Sequence, residues 1–94
     1  MLRKLREKIH TRQYVVTTHA DDEVHEDCLT VYDVEHVILT GEIVERQRDP
    51  MTNEWKYCII GRTLGDEKAQ VVAKIGLTGK LVVITVFRCK DEGK

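Results

Sequence analysis

The sequence predicts an α+β domain in which a helical N-terminal half packs on an antiparallel sheet of about four strands. Three observations lead there. Before Gly41, apolar residues recur at helical spacing behind threonine caps; after it, they alternate at the strand period; and Gly-, Asn- and Asp-containing turns divide the alternating part into hairpins.

Leu2, Leu5 and Ile9 place one apolar stripe on a short basic helix within residues 1–12. Tyr14, Val15 and Val16 form a brief β-prone stretch. Thr18, with Asp21 three residues later, predicts an N-cap with an acidic first turn, and a helix from about His19 to Cys28. Thr30 and Asp33 repeat the device. Their helix carries Val31, Val34, Val37 and Ile38 on one face and stops at Gly41, so two capped helices in tandem are expected as a helical hairpin.

Strand periodicity begins at Glu42. Glu42 to Arg48 is β-prone and half charged, and Asp49-Pro50-Met51-Thr52-Asn53 has the residues of a hairpin loop. Trp55, Tyr57, Ile59 and Gly61 then share one strand face. Leu64-Gly65-Asp66-Glu67 turns the chain into a strand over Ala69 to Ile75, and the Gly76 to Lys80 segment turns it into Leu81 to Arg88. That last strand is apolar on both faces, which predicts a buried place inside the sheet.

Ninety-four residues, 41% hydrophobic and 33% charged with one proline, fit one globular domain over 1–94: the basic helix at 1–12 and a core unit at 13–90. No apolar run approaches the roughly 18 residues of a membrane span, and the charged start is no signal peptide. The chain reads as cytoplasmic, without a membrane partner.

Cys28, Cys58 and Cys89 are odd in number and spaced for neither a disulfide set nor a closed zinc site, so buried free thiols are expected. Cys28 follows His25 by three residues, and a metal site there needs His19 or His36 as well. No metal and no cofactor is expected. Net charge is -1, yet Arg3, Lys4, Arg6, Lys8 and Arg12 crowd the start, while Asp21, Asp22, Glu23, Glu26, Asp27, Asp33 and Glu35 follow. Such a split marks either a binding face or solvated helix faces.

Thr18-His19-Ala20, then Leu39-Thr40-Gly41-Glu42-Ile43-Val44-Glu45-Arg46, then Gly79-Lys80-Leu81-Val82-Val83-Ile84-Thr85-Val86 form three ordered blocks. In these the chain resembles, over about residues 14–88, the domain of unknown function numbered 4258. The resemblance implies a RelE-like outline, similar to RelE-type and MqsR-type ribonuclease toxins, and a small zinc-ribbon, helix-turn-helix antitoxin as neighbour and partner. Two departures stand out. Phe87 occupies the place of a frequent tyrosine, and Glu23 and Asp27 stand where many members carry arginines.

On this reading the chain is the toxin of a toxin-antitoxin pair, a metal-independent endoribonuclease, and the alternative is a noncatalytic protein-binding module. Cleavage through the ribose 2′-hydroxyl needs a base, an acid and cations at the transition state. His19, at a helix start, suits proton transfer, or else simply bonds Glu23 one turn on. Glu45 and Arg46 point to opposite strand faces, so Arg46 either lines a cleft or joins a surface ion pair. His19, Arg46 and Arg88 are the catalytic candidates. Arg62, Lys74 and Arg88 are expected as a cationic stripe across neighbouring strands, with Arg62, Lys74 and Trp55 as RNA contacts. The plain alternatives are solubility for the cations and a core place for the ring.

Overall fold

The computed structural model describes residues 1–89, so the expected core limit at 90 and the chain end at 94 lie outside the described residues. Helix α1 (Leu2–His10) leads into β1 (Tyr14–Val16), α2 (Thr18–Glu26) and α3 (Val31–Thr40). Strands β2 (Glu42–Arg48), β3 (Trp55–Arg62), β4 (Lys68–Ile75) and β5 (Leu81–Arg88) follow.

The sheet runs β1-β5-β4-β3-β2. This corrects the expected four antiparallel strands to five in a mixed sheet, because Tyr14–Val16 pairs parallel with Leu81–Val83 while the other pairs are antiparallel. Strand β5 lies inside the sheet, as its two apolar faces require.

Thr17, not Thr18, caps α2: its hydroxyl accepts the Ala20 N–H at 3.1 Å, and Thr18 is the first helical residue. The helix ends at Glu26 instead of Cys28, since Cys28 turns the chain with a left-handed φ of 58°. Helix α3 has a reciprocal capping box: Thr30 Oγ1 accepts from Asp33 N–H at 3.3 Å, and Asp33 Oδ2 accepts from Thr30 N–H at 2.9 Å.

Gly41 ends α3 with an extended backbone, so its value is closeness and not left-handedness. A Cβ there would stand 2.5 Å from Ile60 O and 2.6 Å from Val37 O, and one on Gly61 would collide with Val37 O. The end of α3 therefore rests directly on the β3 backbone. Helix α2 lies on β5, and α1 docks on α3. The expected helical hairpin is thus two helices side by side, each resting mainly on its own strand. Arg6 secures α1: its Nε donates to Ile38 O at 3.2 Å and its Nη2 to Gly41 O at 2.8 Å, satisfying carbonyls at the end of α3.

The core lies between helices and sheet. Leu5, Val34, Val37 and Ile38 meet Ile59, Val71, Leu81, Val83 and Val86, all nearly or fully buried. A bulge in β5 opposite Val72 and Ala73 lets Val83 and Val86 both face inward. Among the described residues no helix covers the other sheet face, and Val15 and Phe87 are exposed.

Candidate functional site

His19 projects from the first turn of α2, largely exposed, with Nε2 at 3.4 Å from Glu23 Oε2. The other Glu23 oxygen accepts the Val86 N–H at 2.9 Å, and one turn later Asp27 Oδ2 accepts the Arg88 N–H at 3.0 Å. Both acceptors have one cause: β1 ends at Val16, opposite Val83, so among the described residues the amides of β5 beyond that point have no strand partner on that side. The two acidic departures from the resembled family are backbone acceptors for an otherwise open strand edge.

Arg62 and Arg88 come together at one end of the sheet, where Asp27, Asp66, Glu67 and Lys68 join them around a cleft of about 450 Å³. Arg88 is committed there. Its Nη1 donates to both Glu67 oxygens at 3.1 Å, and these bonds hold its guanidinium above its usual range. Arg62 Nη1 donates to Asp66 O at 3.3 Å, while the Arg62 carbonyl accepts from His36 Nδ1 at 2.8 Å.

Lys74 does not extend this cluster. Arg62 pairs with Lys68, and Lys74 lies six positions further along β4 beside Lys56, roughly 20 Å away at strand spacing. Its Nζ donates to Glu54 at 2.7 Å, which pulls the Glu54 carboxyl below the usual carboxylate range. The expected stripe of Arg62, Lys74 and Arg88 is therefore two separate groups, because Lys74 belongs to the opposite end.

Arg46 faces the helix side of β2, opposite Tyr57, and Arg48 lies opposite Trp55. A bulge after Ile43 sets this alternation. Both guanidiniums sit over the Trp55 ring, at 5.3 and 5.5 Å from its centroid. Trp55 is 40% exposed, so the plain reading of a core ring holds for Tyr57 and not for Trp55. Among the described residues neither arginine has a carboxylate partner. An arginine held by a ring keeps its full charge available, whereas one held by a carboxylate does not.

The geometry thus unites Arg46 with Trp55 and Arg62 with Arg88, and leaves His19 apart. Strands β5 and β2 are the second and last in the sheet, about 14 Å apart at three strand spacings. His19 above β5 and Arg46 on β2 flank opposite sides. Sequence reasoning missed Arg48, whose spacing of two from Arg46 was the available signal, and Lys68, visible only through register. The thiols differ: Cys58 is buried, which pushes its pKa up, Cys89 is half-buried, and Cys28 is exposed, so burial is not their common state. No helix among the described residues is long and apolar enough to cross a membrane.

The model of the family described as Domain of unknown function (DUF4258) matches residues 16–88. No curated protein and no solved structure matches the chain.

Proposed function

The chain belongs to the DUF4258 family, and on that premise we propose that it is a toxin-like domain that grips RNA through Arg46, Arg48 and Trp55. The carrying observation is the pair of guanidiniums over one partly exposed ring, with no carboxylate partner for either among the described residues. Phosphates need free cations, and unpaired bases need flat surfaces; this patch offers both. The RelE-like outline, the ribonuclease activity and the zinc-ribbon antitoxin partner belong to the same proposal.

The separation of His19 from Arg46, and the Arg88–Glu67 pair, favour a second reading in which the domain holds RNA or an antitoxin without cutting. In the first reading His19, oriented by Glu23, exchanges the proton of the 2′-hydroxyl or of the leaving oxygen.

Trp55 is the lone tryptophan of the chain, so its fluorescence reports directly on this patch. Titration with single-stranded polyuridylate is expected to change that emission, to weaken with salt, and to fail in an Arg46→Ala, Arg48→Ala double variant. An unchanged emission at low salt refutes the RNA reading. Expression in a bacterial host then separates the two versions: transcript breakage that His19→Ala abolishes establishes cleavage, and binding without breakage establishes the noncatalytic module.

A further inference from the structure

Next to the two arginines, the start of α1 and the β2–β3 loop border a slot of about 190 Å³ that shares Trp55 with them. Met1 and Lys4 line it on the α1 side, and Asn53, Glu54, Trp55 and Tyr57 on the sheet side. Tyr57 is buried, but Met1 is 51% and Trp55 40% exposed. Uncovered apolar surface thus stands among free cations, since Lys4, like Arg46 and Arg48, has no carboxylate partner among the described residues.

The remaining polar groups of the slot are few. Glu54 is taken, its Oε1 accepting from Lys74 Nζ at 2.7 Å. Asn53 is fixed by its backbone: its φ is 63°, its N–H donates to Asp49 O at 2.7 Å, and the Asp49 N–H donates to Glu54 O at 2.8 Å. Its side-chain amide has no hydrogen-bond partner among the described residues. The slot therefore offers one ammonium, which only donates, and one amide, which donates and accepts side by side.

We propose that this slot takes one unpaired base of a bound RNA strand and that Asn53 selects adenine there, an inference that rests on the RNA reading of the neighbouring patch. Adenine presents an amino donor beside a ring-nitrogen acceptor, the pattern that an asparagine amide meets with two hydrogen bonds. Guanine presents either two acceptors, which leave the Asn53 oxygen unpaired, or two donors, which call for a carboxylate that Lys74 already holds. Pyrimidines can also meet an amide, but their single ring covers less of Met1 and Trp55. Lys4 on one side and Arg46 and Arg48 on the other then serve the phosphates flanking that base.

The test titrates the full chain with oligouridylates of one length that carry adenosine, guanosine, cytidine or uridine at a single central position, read by Trp55 emission. The adenosine oligomer is expected to bind about tenfold tighter than the other three. Asn53→Gly, which suits the left-handed backbone, is expected to make the four bind alike. Lys4→Ala is expected to weaken all four and to lower the slope of log affinity against log salt by about 0.7. Equal binding of the four by the parent chain, or an adenosine preference that survives Asn53→Gly, overturns this inference and leaves the RNA reading standing. Binding of none overturns both.

Discussion

Helices α3 and α2 rest on the same sheet by opposite means. At the α3–β3 contact backbone meets backbone, since Gly41 and Gly61 have no room for a Cβ. Around it the α3 side chains finish the strand: Thr40 Oγ1 accepts from Arg62 N–H at 3.1 Å, His36 bonds the Arg62 carbonyl, and Asp33 Oδ1 accepts the Leu64 N–H at 2.9 Å. At the α2–β5 contact side chains do the spacing. Ala20 and Val24 fill it, and Glu23 and Asp27 reach the amides of Val86 and Arg88. A steric contact tolerates almost no substitution, while a contact through acceptors tolerates any residue that still accepts. Helix α2, which carries His19, is therefore the side of the molecule free to vary.

The largest test of that contrast is Gly61→Ala. The new methyl would press into the Val37 carbonyl, and overpacking against backbone is expected to cost about 3 kcal/mol, read as a lower urea midpoint. A loss below about 1 kcal/mol would show that α3 can lift off the sheet, and the contrast would fail.

Asp33→Ala comes next. It removes the reciprocal half of the α3 cap and the Leu64 acceptor together, an expected loss of about 1–2 kcal/mol. Glu23→Ala should cost about 1 kcal/mol by leaving the Val86 amide to solvent, and Glu23→Gln less, because an amide oxygen still accepts. Equal losses for the two Glu23 variants would mean that the charge, not the bond, holds α2.

The smallest effect concerns β1, where Tyr14 donates its hydroxyl to Glu35 of α3. Burial and then that hydrogen bond push the Tyr14 phenol from 10.0 up to about 12. The folded state thus keeps a proton that the unfolded chain gives up near pH 10, so this contribution is complete below pH 10 and declines as pH rises through about 12. Tyr14→Phe should flatten the alkaline limb of stability between those values; an unchanged limb would place the effect elsewhere.

Much of this was legible residue by residue. Thr30 and Asp33 announced a capping box, and the apolar spacing behind them gave α3 to the residue. Thr17 and Thr18 were ambiguous because either hydroxyl can cap, and only the observed bond to Ala20 decides. Strand β1 was too short to declare itself, since Tyr14–Val16 gains its meaning from a partner at the far end of the chain. The candidate site was legible in part. Arg46 and Trp55 were both singled out, but their meeting depends on the β2–β3 register and the bulge at Val44, which no local pattern encodes. Glu23 and Asp27 looked like surface charge because strand-edge amides are invisible to a one-dimensional reading.

The parallel pairing of β1 with β5 also orders events in time. Strands β2 to β5 can pair as consecutive hairpins while the chain is being made, but β1 has to wait: Thr17 meets Ile84, 67 residues further on. At roughly 5–20 residues per second, that wait lasts on the order of several seconds of synthesis. During it the Tyr14–Val16 segment has no strand partner, and the sheet remains open on the side where β5 will be laid down. The docking of β1 is then a late, long-range closure of the kind that slows folding, so a nascent chain interrupted before Leu81 leaves its first strand without a place to go.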